Sequence, residues 1–204
     1  MVLLRKSNPQ NHELQTAVVR GVMKEQIVKT GDEQLVEVMC YEYRLLLQAY
    51  KEFHYFRAVN KRTSDDEIKL HLYNCYGKII LHMYEFLKSC VARTVSKTKS
   101  EDNEYVKTFI VSELKRISKA NGQPTDAAKI EEFAENLRVY RNKVYGHVVK
   151  GRLDNFPLAI FYQKYHAYIM LLFQNTVYWW DTEPGEIASN NSIKEFSELL
   201  ASEP

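Results

Sequence analysis

The residues best suited to chemistry lie in one short stretch, Arg141-Asn142-Lys143-Val144-Tyr145-Gly146-His147. A guanidinium can hold a phosphate and stabilise the charge that develops on it, and an imidazole with a pKa of about 6.5 can transfer a proton near neutral pH. Arg141 and His147 could therefore bind or cleave a phosphodiester without a metal. Asn142, next to the arginine, could orient the phosphate or the imidazole.

The chain around these residues is basic. Residues 138–152 contain five arginines and lysines and no carboxylate, although the whole chain has a net charge of only +2. Such a segment attracts anions locally in a protein that has no general affinity for them. Lys143 and Tyr145 are secondary candidates for contact with a substrate.

Arg141 falls within the apolar stripe of the helix that should carry it. An unpaired guanidinium is costly to bury, so Arg141 needs a buried carboxylate, a partner subunit or an anionic ligand. On a straight helix His147 would lie about 120° around the axis from Arg141 and ~9 Å further along. The two side chains could converge if Gly146 kinks the helix or if two copies of the chain pair. Alternatively, Arg141 forms an internal salt bridge and His147 is a surface residue after the end of the helix.

The helix that positions the stretch begins at Thr125 or Asp126, either of which could cap it. Apolar residues at spacings of three and four predict further helices along the chain. Ser64-Asp65-Asp66-Glu67 and Ser192-Ile193-Lys194-Glu195 resemble capping boxes. The predicted helical segments are 11–29, 36–57 with Arg57 in its stripe, 64–90, 106–117, 125–148, 158–179 and a short helix from 192.

No segment alternates with the period of a strand, and the 204 residues include only 7 Gly and 5 Pro. The sequence therefore predicts an all-α protein, an antiparallel bundle of five to six helices. We expect a single helical-bundle domain over residues 11–182, followed by a short C-terminal extension, 183–204, with a terminal helix. The length of the chain suits one hydrophobic core rather than two.

Other possible sites are weaker. The three cysteines, an odd number without CxxC spacing, favour reduced and packed thiols over a redox site. His71 and His82 could be metal ligands or simply hydrogen-bonded. The aromatic residues could stack bases or fill the core. Four basic residues could line a nucleic-acid groove or simply belong to a solvated helix end: Lys88, Arg93, Lys97 and Lys99. No metal or cofactor is expected.

The run Ala167–Phe173 is too short to span a bilayer, and no signal peptide is apparent at the N-terminus. These features predict a protein that is not inserted in a membrane and that resides in the cytoplasm.

The stretch resembles the motif of the HEPN superfamily, in which four to six residues separate an arginine, often followed by a polar residue, from a histidine. Here Arg141 is followed by Asn142, and five residues separate it from His147. The form is similar to HEPN domains of abortive-infection and toxin–antitoxin systems. The resemblance implies a homodimer of helical bundles and a metal-independent endoribonuclease, a toxin or phage-defence effector with a possible antitoxin or regulatory partner. Family members often have an acidic or polar helper on another helix, for which Glu42 is one candidate. The alternative is a HEPN-like interaction module without catalysis.

Overall fold

Long helices fill the parts of the chain that the computed structural model describes, residues 31–62, 65–94, 103–122, 126–146, 152–175 and 190–201. No β-strand occurs in these ranges, so the predicted all-α bundle is confirmed. The predicted helix 11–29 lies outside them. The elements are α1 (Gly31–Asn60), α2 (Asp66–Thr94), α3 (Asn103–Ala120), α4 (Ala127–Tyr140), a π-helical segment (Arg141–Gly146), α5 (Arg152–Asn155), α6 (Leu158–Asn175) and α7 (Asn191–Ala201).

Aspartate or asparagine side chains cap the N-termini of three of the helices. Asp65 Oδ1 accepts a hydrogen bond from the Glu67 amide at 2.8 Å, and Asp126 Oδ1 accepts one from the Lys129 amide at 3.1 Å. These contacts satisfy amides that have no partner inside the helix. Asp126 is one of the two predicted caps, whereas Ser64 lies outside the described residues.

The predicted start of the terminal helix at Ser192 is wrong by two residues. Asn190 is the cap, because its Oδ1 accepts from the Ser192 amide at 3.0 Å and α7 already begins at Asn191. Asn190 also donates a hydrogen bond to Glu37 of α1, and no residue of α7 is buried. Because residues 176–189 lie outside the described ranges, the division of the chain at residue 182 stays a prediction.

Helix α2 is the centre of the bundle. It packs along α1 in the most extensive helix contact of the described chain, and it also contacts α3, α4, α6 and the π-helical segment. Its buried face is the predicted stripe, and the cysteines of the chain are all buried and reduced, as expected. The largest fully buried side chains come from α1, α2, α3, α4 and α6: Phe86, Phe133, Phe161, Met39, Leu46, Ile79, Ile80, Met83, Leu87, Ile110, Leu114 and Ile117.

One member of a predicted stripe is not inward. Arg57 continues the apolar pattern of α1 at the correct spacing, yet its side chain is exposed. It lies one turn from the end of α1, where the helix extends past the core. The aromatic residues are mostly core residues, as expected, although Tyr41, Tyr55 and Tyr105 are exposed.

Helix α6 brings His166 into an aromatic cluster with α1 and α2. Its ring stacks on Tyr162, with centroids 4.3 Å apart, and Nδ1 lies 3.3 Å from the Tyr76 hydroxyl. Burial, followed by the nearby charges of Arg57 and His54, lowers the pKa of His166 below its usual value. The neutral imidazole is therefore the form that this cluster favours.

No helix in the described part of the chain combines the length and the apolar character needed to cross a lipid bilayer.

We expect the free energy of unfolding to fall as the pH drops from about 7 to 5, and His166 to contribute to this slope. Its pKa is depressed in the folded state, so the unfolded chain binds the proton more readily below pH ~6.5. Urea unfolding of His166→Gln across this pH range should give a shallower slope than wild type. Substitution of the exposed His71 by Gln is the control, and a slope unchanged in His166→Gln would contradict the expectation.

Two leucines of α2 test the packing around this helix. Leu87 is fully buried, and its truncation to Ala should lower the free energy of unfolding by about 2–5 kcal/mol through lost burial and the cavity left behind. Leu70 is 61% exposed, and Leu70→Ala should change it by less than about 0.5 kcal/mol. Urea denaturation followed by circular dichroism measures both, and equal effects would contradict this placement of α2.

Candidate functional site

The candidate site lies where the helical geometry of the chain changes. Helix α4 ends at Tyr140, and the next six residues, Arg141–Gly146, form a π-helical turn. The sequence predicted an end or a kink at Gly146, whereas the change from α to π geometry already begins at Arg141. Such turns are rare and occur frequently at functional sites.

Arg141 extends from the start of this turn toward α2. Its Nη2 donates a hydrogen bond to Oε1 of Glu85, and its Nη1 donates one to Oδ1 of Asn142 at 2.6 Å. The guanidinium carbon lies 5.6 Å from the ring centroid of Tyr84, a cation–π distance. Of the three partners that the sequence left open, a carboxylate of the same chain is thus present. Glu85 supplies it.

Neither member of this ion pair is fully buried. The side chain of Arg141 is 28% exposed and that of Glu85 is 23% exposed. Arg141 Nε is buried without an acceptor among the described residues. A guanidinium has five N–H donors, and the two contacts above use only part of that capacity. Arg141 can therefore donate a further hydrogen bond to an anion or a carbonyl oxygen on its solvent side while it remains paired with Glu85.

The positive charges of two guanidiniums act on Tyr84. Its ring is buried, and burial raises the pKa of its hydroxyl while the positive charges of Arg138 and Arg141 act in the opposite direction. Arg138 is paired with Glu135, one turn earlier on α4. The basic character that the sequence shows around residue 141 is therefore partly neutralised by carboxylates of α2 and α4.

The predicted site residues are only partly brought together. Asn142 accepts a hydrogen bond from Arg141, and Lys143 is exposed on the same π-helical turn. The side chain of Tyr145 and the whole of His147 lie outside the described residues. The convergence of His147 on Arg141 therefore stays a prediction.

Glu42, the suggested acidic helper, has another partner. Its Oε2 lies 2.9 Å from Nδ1 of His82, in a part-buried contact between α1 and α2. His82 is thus hydrogen-bonded, which is the simpler of its two predicted roles, and His71 stacks on Phe56 with centroids 4.8 Å apart. Among the residues that the structure describes, no group of three His, Cys, Asp or Glu could hold a metal ion.

Chemically, this arrangement can hold an anion against Arg141 and Asn142 at the edge of the bundle. Comparison of the chain with protein-family models, with curated proteins and with solved structures found no match. Function is therefore inferred from the chemistry of Arg141 and its neighbours.

Glu85 is the residue of the site that the sequence did not indicate. It contacts Arg141 across 56 positions of the chain, a separation that local periodicity cannot bridge. One signal was present, because Glu85 is the only acidic residue in the otherwise apolar or basic run from 77 to 89. A lone carboxylate in an apolar run needs a buried partner as much as a lone arginine does.

A double-mutant cycle tests the ion pair. Arg141→Ala, Glu85→Ala and the double variant should give a coupling energy of about 1 kcal/mol or more in urea unfolding, because both groups are largely withdrawn from solvent. The more exposed pair of Lys115 and Glu131, 3.9 Å apart, should couple by less than about 0.5 kcal/mol. Coupling no larger than in this control pair would mean that Glu85 does not hold Arg141 in solution.

Proposed function

We propose that this protein is a metal-independent endoribonuclease of HEPN type. The observation that carries the proposal is the state of Arg141, which is held by Glu85 and Asn142 yet remains 28% exposed with hydrogen-bonding capacity to spare. It stands six positions before His147, on a π-helical turn at the edge of the bundle. A cation fixed in this way can bind a phosphate without first reorganising.

The reaction proposed is attack by the ribose 2′-hydroxyl on the neighbouring phosphorus. His147 takes the proton from the 2′-oxygen, or an imidazole in its protonated form gives one to the departing 5′-oxygen. The bond from the 2′-oxygen to phosphorus forms as the bond from phosphorus to the 5′-oxygen breaks. The products are a 2′,3′-cyclic phosphate and a 5′-hydroxyl, and no metal takes part.

The remaining residues have supporting roles in this proposal. Arg141 stabilises the charge that develops on the phosphate oxygens, and Glu85 keeps its guanidinium in place. Asn142 orients the phosphate or the imidazole. Lys143 and Tyr145 contact the RNA on either side of the cleaved bond.

A second copy of the chain belongs to the proposal. A two-fold homodimer would bring two Arg141–His147 stretches to one cleft, so that the arginine of one copy and the imidazole of the other act on the same phosphate. In the cell we propose a cytoplasmic toxin or phage-defence effector, restrained by an antitoxin or another regulatory partner.

The ion pair itself favours a second candidate, a HEPN-like interaction module without catalysis. The positive charge of Arg141 is already compensated by Glu85, as it would be in a purely structural salt bridge. In that case Arg141 contributes to stability through its partner and has no role in chemistry.

Cleavage of a fluorescent RNA in the presence of EDTA separates the two candidates. We expect the purified wild-type protein to cleave it, and Arg141→Ala and His147→Ala each to lower the rate by about 100-fold or more. Arg138→Ala is the matched control, since this arginine belongs to the same basic segment but is paired with Glu135. It should retain most of the activity.

Circular dichroism of each variant checks that the helical fold survives. A wild-type protein that never cleaves, or variants at 141 and 147 that cleave as fast as wild type, would leave the interaction module as the function. Induced expression gives a further readout, because a toxic nuclease should slow growth and the Arg141→Ala, His147→Ala double variant should not.

A further inference from the structure

The C-terminal end of α1 carries a basic groove far from Arg141. Its volume is about 330 Å³, and five residues line it: His54, Arg57, Ala58, Lys61 and Arg62. On an α-helix, positions 57 and 58 share a face with position 54 because they are three and four residues from it, and Lys61 and Arg62 follow in the turn after α1. Arg57, the residue that sequence periodicity placed inward, is thus exposed in this groove.

The cations of this groove lie in a segment without acidic residues, and they form no ion pair with a carboxylate of the described residues. From Phe53 to Ser64 the sequence contains no acidic residue. Within the described ranges, neither Arg57, Lys61 nor Arg62 forms an ion pair.

Three arginines elsewhere in the bundle differ in this respect. Arg116 is paired with Glu113, Arg138 with Glu135 and Arg141 with Glu85. A helix C-terminus favours nearby cations, but one in the last turn serves that purpose. Three cations around one groove, none of them in an ion pair among the described residues, are more than the helix end requires.

Aromatic rings accompany the cations. Tyr55 is 65% exposed, and it directly follows His54 of the groove in the sequence. The His54 ring packs against Tyr50, with centroids 4.4 Å apart. A positively charged groove beside an exposed aromatic ring is the arrangement by which proteins bind single-stranded nucleic acid, since bases stack on the ring while cations follow the phosphates.

We infer that the groove formed by His54, Arg57, Lys61 and Arg62, with the exposed ring of Tyr55 beside it, binds the backbone of single-stranded RNA. The inference rests on the proposed function for the identity of RNA as the substrate. Along α2, Glu85 lies ~28 Å from the start of the helix at Asp66, next to the groove. The groove therefore holds nucleotides remote from the cleaved bond, and it acts on affinity rather than on the chemical step.

The test uses the full chain and a fluorescent single-stranded RNA of mixed sequence whose riboses are all 2′-O-methylated. This probe has no free 2′-hydroxyl, so it can be bound but not cleaved by the proposed reaction. Fluorescence anisotropy at several salt concentrations gives the dissociation constant and its salt dependence.

We expect the triple variant Arg57→Gln, Lys61→Gln, Arg62→Gln to bind the probe at least about 10-fold more weakly at low salt. The slope of log affinity against log salt should become shallower by about 2, because each phosphate contact with a single strand contributes roughly 0.7.

A second triple variant is the charge-matched control. Lys119→Gln, Lys129→Gln, Lys194→Gln removes the same charge from exposed positions on α3, α4 and α7. It should keep the affinity and the slope of wild type. An equal loss in both triple variants would mean that net charge alone matters and would overturn the inference.

The ring of Tyr55 is tested separately. Tyr55→Ala should weaken binding about fivefold or more through the loss of base stacking, and Tyr41→Ala, which removes another exposed tyrosine of α1, should not. If Tyr55→Ala binds as wild type while the triple variant at 57, 61 and 62 is weak, the site takes phosphates without bases and the RNA assignment is overturned.

Failure of this inference and failure of the proposed nuclease give different results. A chain that binds the methylated RNA through the groove but cleaves no RNA overturns the nuclease and supports the groove. A chain that cleaves RNA while the groove variants bind normally overturns the groove alone. Groove variants that lose thermal stability but not affinity would show that these cations only stabilise the end of α1.

Discussion

The guanidinium of Arg141 cannot lose its charge at physiological pH, so its partial withdrawal from water must be offset by fixed partners. Two adjacent residues of α2 provide them, because Glu85 accepts a hydrogen bond and Tyr84 presents its ring. A shift of α2 by one residue would rotate this pair by about 100° and leave the cation uncompensated. One charge thus specifies how α2 is aligned with the π-helical turn.

A second polar contact fixes the position of α2 against α1. The pair of His82 and Glu42 lies three residues before Glu85 and joins α2 to α1. Apolar packing alone tolerates some sliding of one helix along another, whereas directional contacts do not. Neither polar pair joins Arg141 to α1. The position of Arg141 nevertheless depends on α1, because Glu85 holds Arg141 against α2 and His82 holds α2 against α1. Apolar burial in the core supplies most of the free energy of folding, and the polar pairs fix how the helices are aligned along one another.

Periodicity in the sequence was sufficient for the long helices of the described ranges, because burial of one face is a property of each segment by itself. It was insufficient where a tertiary contact or a helix end decides the outcome. Arg57 continues an apolar pattern, but the core ends before it does. Ser192 begins a stretch that resembles a capping box, but the side chain of Asn190 accepts the hydrogen bond from the Ser192 amide and caps the helix. Glu85 could not be assigned to Arg141 because the fold alone brings positions 85 and 141 together.

Arg141 and Arg57 interrupt apolar stripes in the same way, yet they differ in their charge balance. The charge of Arg141 is compensated by Glu85, so at a distance the pair attracts an anion only weakly. For the proposed nuclease, binding and chemistry would then depend on different residues. Screening limits the field of an exposed cation to about 8 Å, far less than the ~28 Å that separates the groove of α1 from Glu85 along α2. The groove cannot draw a phosphate to Arg141 through space. It can act only if one RNA strand contacts both places, or if a second copy of the chain brings its own groove near the site.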